Sequence, residues 1–79
     1  MMSDNTQTAT VDFGSAVWAL KKGSKVARIG WNGKGMFVRY VETTEQLNRH
    51  LELKNVVGTF DTWVPSVSDV LAEDWLILE

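Results

Sequence analysis

The sequence has 79 residues, no cysteine and a formal net charge of −2. A chain of this size buries only about 60% of the surface that its unfolded form exposes, and it has no disulfides to add stability, so we expect it to form an oligomer. The negative charge disfavours binding along nucleic-acid backbones. No apolar run approaches the ~18 residues of a membrane span. The polar start MMSDNTQTAT lacks the features of a signal peptide. The expected location is the cytoplasm.

The chain predicts a flexible tail over residues 1–10 and a single domain over residues 11–79. The tail is polar and has no hydrophobic period. A helix is predicted over residues 12–22, with Asp12 or Thr10 as its cap and Gly23 after its end. Its apolar residues recur at the spacing of one buried helical stripe, namely Phe13, Ala16, Val17 and Leu20.

Trp18 lies on the helix about 150° from the centre of that stripe, at 100° per residue. Two interpretations stay open for this side chain. It is either an exposed amphipathic residue or a contact with another subunit, because a large aromatic side chain held outside its own core often marks an interface.

The rest of the chain predicts two hairpins, two short helices and a final strand. The first hairpin pairs 25–31 with 36–41, and the second pairs 51–55 with 59–64. Capping signatures predict a helix from Thr43 through about His50, and another at 67–72 after Ser66. With a last strand at 75–78, the fold class is α+β: a small single domain with one N-terminal helix, antiparallel hairpins and a short helix before the C-terminal strand.

No catalytic set, metal site or cofactor motif is predicted. His50 is the one histidine and has no cysteine partner, so it is expected to be a solvated surface residue. Glu73 and Asp74 are adjacent in sequence and therefore point apart. The glycines at 30–35 do not match the phosphate-binding patterns GxxxxGK[ST] or GxGxxG.

Aromatic and small polar residues instead indicate a binding site. Flat aromatic faces and a few directed polar groups suit a nucleobase and its ribose. The flat faces are Trp31, Phe37, Trp63 and Trp75, and the polar groups are Asn32, Ser66, Ser68 and Asp69. Taken alone this pattern is weak, because tryptophans in a small domain are more often core residues.

The register of the first hairpin decides whether two arginines meet. With a loop of residues 32–35, Arg28 faces Arg39 directly, and an anion between them would relieve their repulsion. With a two-residue turn at 32–33, Arg28 faces Phe37 and the argument for an anion disappears. The sequence does not choose between these registers.

Two long stretches resemble a small family of phage and prophage proteins, the second type of Thoeris anti-defence proteins. They are FGSAVWALKKGSKVARIGWNGKGMFV at 13–38 and LELKNVVGTFDTWVPSVSDVLAEDW at 51–75. The strings WNGKGMF and LAEDW are the most specific part of the match. Departures occur in the short 42–50 segment, at Val57 and at Pro65, which affects the expected ligand more than the expected fold.

The resemblance implies a binding protein and no enzymatic activity. Members of this family bind cyclic ADP-ribose isomers, and some bind cyclic oligonucleotides, which keeps an immune signal from its effector. The implied partners are therefore a nucleotide-derived second messenger and further copies of the chain, commonly four, with pockets at subunit interfaces. The implied location is the cytoplasm of the bacterial host, without membrane or nucleic-acid partners.

The resemblance also implies roles for individual residues. Trp31 and Trp63 are expected to stack on bases, and Arg28 is expected to bind phosphate. The small polar groups are expected to bind ribose and base edges; they are Asn32, Ser66, Ser68 and Asp69. The alternative function is a structural or protein-binding module of a phage without a small ligand.

Overall fold

The computed structural model of the protein describes residues 9–31, 35–43 and 48–78. The elements in chain order are α1 (Phe13–Lys21), β1 (Val26–Arg28), β2 (Phe37–Thr43), β3 (Asn48–Lys54), β4 (Phe60–Thr62), α2 (Val67–Leu71) and β5 (Trp75–Ile77). These strands form one antiparallel sheet in the order β4-β3-β2-β1-β5. The predicted α+β class, with an N-terminal helix and a short helix before the last strand, is confirmed. Most of the predicted tail lies outside the described residues.

Within the three described ranges, no helix has the length and apolar character needed to cross a membrane.

Helix α1 spans Phe13–Lys21, within one residue of the predicted 12–22 at each end, and Asp12 is its N-cap. The Asp12 carboxylate accepts a hydrogen bond of 2.9 Å from the Ser15 backbone N–H, which satisfies one of the free donors of the first turn. After the helix, Gly23 adopts a φ of +100°, a conformation that glycine reaches without strain. Trp18 is 64% exposed in the single chain, with the Lys22 ammonium 5.0 Å from its ring centroid. Burial of Trp18 against another subunit stays a prediction.

The core lies between α1 and one face of the sheet. Ala16, Ala19 and Leu20 of the helix pack against three buried sheet residues, Val26, Val38 and Trp75. Side chains alternate between the two faces of a strand, so the residues between these point away from the helix. We call that second side the open sheet face; among the described residues it includes Ala27, Phe37, Arg39, Glu52, Lys54 and Phe60.

The register of the first hairpin differs from both predicted alternatives. Val26 pairs with Val38, and continuing this register places Arg28 opposite Met36. Arg28 and Arg39 therefore do not face each other. The physical reason is core burial: a shift by an odd number of residues would turn either Val26 or Val38 away from α1, whereas both are fully buried here. Asn32, in the turn, lies outside the described residues.

The helix predicted from Thr43 through about His50 is wrong at both ends. Thr43 ends β2, and β3 already begins at Asn48; residues 44–47 between them lie outside the described residues. Seven consecutive cross-strand pairs join β2 to β3, from Phe37 with Lys54 to Thr43 with Asn48. This continuous pairing outweighs a capping signature of about 1 kcal/mol.

The second hairpin and α2 are confirmed. The Asn55 side chain accepts hydrogen bonds from the backbone of Val57, Gly58 and Thr59 at 3.0, 3.1 and 3.2 Å. These bonds close the turn, and Gly58 supplies its positive φ of +105°. The chain then crosses to α2, which packs against α1 and ends just before β5.

Candidate functional site

Three tryptophans from separate parts of the chain meet beside α1. Trp75 is fully buried, while Trp31 and Trp63 are half-buried and pack against it. The ring centroids of Trp31 and Trp63 lie 5.5 and 6.0 Å from that of Trp75, and 6.3 Å from each other. All three pairs are edge-to-face, which is a favourable arrangement of aromatic rings. We call Trp31, Trp63 and Trp75 the tryptophan cluster.

Arg28 anchors the polar side of this cluster through two carboxylates. Its Nε donates to Asp74 at 2.9 Å, and its Nη1 donates to Asp69 at 3.0 Å. The second oxygen of Asp74 accepts a hydrogen bond of 2.9 Å from the Gly30 backbone N–H. This network joins β1, α2 and the start of β5, and it fixes the backbone immediately before Trp31. One guanidinium between two carboxylates leaves the group with a net negative charge.

The network changes the protonation of all three side chains. The hydrogen bond from Arg28 holds the pKa of Asp74 below its ordinary value of 3.8, against an opposing effect of burial. Burial raises the pKa of Asp69, but the Ser66 backbone N–H and Arg28 outweigh it, so this pKa is also lowered. The bonds to Asp74 and Asp69 raise the pKa of Arg28. At neutral pH all three groups are therefore charged.

Ser66 and Asp69 cap the start of α2. The Ser66 hydroxyl accepts a bond of 3.1 Å from the Asp69 N–H, and the Asp69 carboxylate accepts one of 2.9 Å from the Ser66 N–H. The Asp69 carbonyl also accepts the Trp75 indole N–H at 3.0 Å. Asp69 thus uses its side chain and backbone to connect the cap, Arg28 and the tryptophan cluster.

Five of the eight predicted site residues are brought together by these contacts: Arg28, Trp31, Trp63, Ser66 and Asp69. Ser68 lies on the same short helix and is exposed. Asn32 lies outside the described residues. A phosphate bound by Arg28 would have to share its guanidinium with Asp69 and Asp74, whose two negative charges exceed its single positive charge.

Phe37 lies apart from this group, on the open sheet face. Its ring centroid is 5.9 Å from that of Phe60, and two lysine ammoniums, Lys25 and Lys54, lie 5.1 and 5.8 Å from it. Sequence reasoning missed these three neighbours. The signal that could have found them is the alternation along β3 and β4, which places Lys54 and Phe60 on the same face as Phe37.

A separate cavity of about 250 Å³ lies between α1 and the β2–β3 pair. Its apolar wall includes Val17, Leu20, Tyr40 and Leu51, and Lys21 and Arg49 lie at its edge. None of the eight predicted site residues lines it. Across the described part of the chain, no group of three or more His, Asp or Glu residues is placed to hold a metal ion.

The sequence comparisons agree with each other. Residues 11–78 match the model of the Thoeris anti-defense 2-like domain. The chain is also 34% identical to Thoeris anti-defense 2 of Bacillus phage SP01, over an alignment of 85 positions that covers 86% of this chain and 94% of the relative. This chain belongs to the Thoeris anti-defense 2-like family.

Membership of the Thoeris anti-defense 2-like family supports a role in phage anti-defence. The resemblance seen in the sequence is thereby confirmed. The matched range contains every strand and helix of the fold, the tryptophan cluster and the Arg28 network. The family domain is therefore the whole of the folded unit described here.

Replacing Ser66 tests whether its hydroxyl is structural. The Ser66→Ala variant should lower the free energy of unfolding by about 1 kcal/mol, because the Asp69 N–H loses its acceptor. The matched control is Ser68→Ala, which removes an exposed hydroxyl from the same helix and should change stability by less than about 0.5 kcal/mol. Urea unfolding measures both. Equal values for the two variants would contradict the capping role.

The Arg28 network predicts a loss of stability in acid. The folded-state pKa values of Asp69 and Asp74 lie below 3.8, so the stability they contribute is fully present above that value and is lost as the pH falls through the folded pKa values. Asp74→Asn should be less stable at pH 7 and should lose less stability than the wild type between pH 7 and about pH 2.5. The control is Glu73→Gln, which removes the neighbouring exposed carboxylate. Urea midpoints across this pH range provide the measurement, and parallel curves for Asp74→Asn and the wild type would refute the prediction.

Proposed function

We propose that this protein binds a nucleotide-derived immune signal in the bacterial host cytoplasm and holds it without cleaving it. The proposed ligand is a cyclic ADP-ribose isomer such as glycocyclic ADP-ribose, with cyclic oligonucleotides as further ligands. Family membership supports the anti-defence role. The ligand and the mechanism of sequestration are our proposal.

The tryptophan cluster is the observation that carries this proposal. Trp31 and Trp63 are half-buried, so their position is fixed by packing while part of each ring stays accessible. Stacking of a base on an aromatic ring is worth about 1–3 kcal/mol. Rigid rings also lose little conformational entropy on binding. The Arg28 network holds the Gly30 backbone, the residue before Trp31, in a fixed position. This orders the site before the ligand binds.

Binding without chemistry is supported by the residues near the cluster. The carboxylates of Asp69 and Asp74 are held as charged groups by Arg28 and backbone N–H donors, an environment that does not favour a general acid at neutral pH. The single histidine, His50, is instead bonded to Glu52 at 2.9 Å on the open sheet face. A protein that removes a signal without cleaving it has to bind it tightly. A nanomolar Kd corresponds to a binding free energy of about −12 kcal/mol.

The proposal includes a homo-oligomer, with four subunits as the expected number. The single chain leaves large apolar side chains exposed, among them Trp18 at 64%, Val64 at 80%, Val67 at 75% and Leu71 at 72%. Val67 and Leu71 are the first and last residues of α2, and Val64 lies three residues before it. A small domain with such surfaces gains stability by burying them against further copies.

Isothermal titration tests the ligand. The wild type should bind glycocyclic ADP-ribose, and Trp31→Ala should weaken binding about tenfold or more through loss of stacking. The control is Lys21→Ala, which removes an exposed side chain of α1 and should bind the ligand as the wild type does. Ligand released by heating the complex should be chemically intact. If titrations with cyclic ADP-ribose isomers and cyclic dinucleotides all give no heat of binding, the proposal is wrong. That result would favour the alternative, a structural or protein-binding module.

Sedimentation equilibrium tests the oligomer. At tens of micromolar protein, the expected mass is that of four chains. The exposed apolar surface favours association, and association increases with protein concentration. A Val67→Ser/Leu71→Ser variant should shift the mass toward smaller species if α2 contributes to the interface. A wild type that sediments as a monomer would contradict the proposal.

A further inference from the structure

The open sheet face has no helix packed on it in the described structure, and its side chains form two rows across the strands. One row runs through Ala27, Phe37, Lys54 and Phe60, and the next through Lys25, Arg39, Glu52 and Thr62. The apolar members contribute a flat surface, while the ends of the long side chains extend over it. This combination of aromatic rings and cations differs in kind from the tryptophan cluster.

Arg39 occupies the centre of this face. Its guanidinium carbon lies 3.7 Å from the centroid of Phe60, and its Nε and Nη2 both donate to one oxygen of Glu52, at 3.1 and 2.7 Å. The other Glu52 oxygen is 2.9 Å from His50 Nε2. Glu52 therefore serves Arg39 and His50, and Arg39 is a flat, fixed cation stacked on an aromatic ring.

The two lysines of this face are different, because neither forms an ion pair with a carboxylate of the described residues. The Lys25 and Lys54 ammoniums both lie near the Phe37 ring. Lys54 also donates to the Gly35 carbonyl at 3.3 Å, which holds it in place. Two ammonium groups are thus concentrated around one ring without a counter-charge from these residues.

The charges of the fold are therefore segregated. The chain as a whole carries a net charge of −2, and the Arg28 network beside the tryptophans is negative. In the described residues the open sheet face carries three cations, Arg39 and Lys54 in the strands and Lys25 just before β1, against the single carboxylate of Glu52. An anionic group is favoured on this face and disfavoured beside Arg28.

We propose that Lys25 and Lys54, on the open sheet face of one subunit, bind the phosphates of the nucleotide whose base stacks on the tryptophan cluster of a second subunit. This inference rests on the proposed function. Two subunits are needed because the tryptophan cluster and the lysines lie on opposite faces of the same sheet. At each site, one subunit supplies the stacking surface of the tryptophan cluster. The other subunit supplies the cations beside Phe37 and Phe60.

Titration of a double variant tests the phosphate partners. Lys25→Gln/Lys54→Gln should weaken binding of glycocyclic ADP-ribose at least tenfold, because two charge-assisted bonds are lost. The matched control is Lys21→Gln/Lys22→Gln, which removes the same charge from the last residue of α1 and the residue after it, and should bind as the wild type does. Thermal unfolding of both variants confirms that each is folded. Inorganic pyrophosphate and a ten-residue oligothymidylate, tested in parallel, separate a phosphate-only site and a polymer site from a nucleotide site.

Mixed oligomers test the second subunit. Co-expression of Trp31→Ala with Lys25→Gln/Lys54→Gln, under two affinity tags, should restore wild-type affinity at about one quarter of the sites, since each intact site needs one unmodified half from each variant.

Each outcome decides the inference. Unchanged binding by the lysine variant overturns it and leaves the proposed function standing. Loss of binding without recovery in mixed oligomers rejects the second subunit. A wild type that binds oligothymidylate or pyrophosphate but no cyclic nucleotide overturns the inference and the proposed function together.

Discussion

The hydrogen bonds that Asp69 makes with Ser66, Arg28 and Trp75 are the constraint on which the rest of the structure depends. Its carboxylate caps α2 and binds Arg28, and its carbonyl accepts the indole N–H of the buried Trp75. An unpaired carboxylate in such a position would cost several kcal/mol, so the Arg28 guanidinium and the Ser66 N–H are required partners. Through this residue the first strand, the short second helix and the last strand are held at one place.

That constraint also explains why the aromatic site is placed where it is. Arg28 and Asp74 fix Gly30, and Gly30 leads directly into Trp31; the α2 cap fixes the chain that follows Trp63. A side chain at position 30 would meet the Asp74 carboxylate at 3.2 Å, a close approach that glycine avoids. The backbone beside the two accessible tryptophans is thus held in place by the charged network of Arg28, Asp69 and Asp74.

The sheet divides the remaining chemistry between its two sides. The side under α1 holds the apolar core and the Arg28 network, which has a net negative charge. The open side holds cations stacked on phenylalanines, and its lysines are not neutralised by the described carboxylates. A domain of 79 residues has little room for an internal ligand cavity. The proposed use of both outer surfaces, in contact with further copies, would overcome that limit.

The sequence by itself determined the local features. The spacing of apolar residues and the capping and turn residues predicted α1, the second hairpin and α2. Each of these elements depends on residues only a few positions apart in the chain. The WNGKGMF and LAEDW strings were sufficient to indicate the family. The helix expected at 43–50 was wrong because seven cross-strand pairs between β2 and β3 prevailed over a local capping signal.

Only the tertiary structure decided the register of the first hairpin, and with it the neighbours of each cation. Burial of both Val26 and Val38 against α1 sets that register, and this burial exists only once the helix has docked on the sheet. It separates Arg28 from Arg39, gives the first to Asp69 and Asp74 and the second to Glu52, and places Phe37 on the side away from the tryptophans. Partners distant in sequence cannot be found from spacing, because they meet through packing.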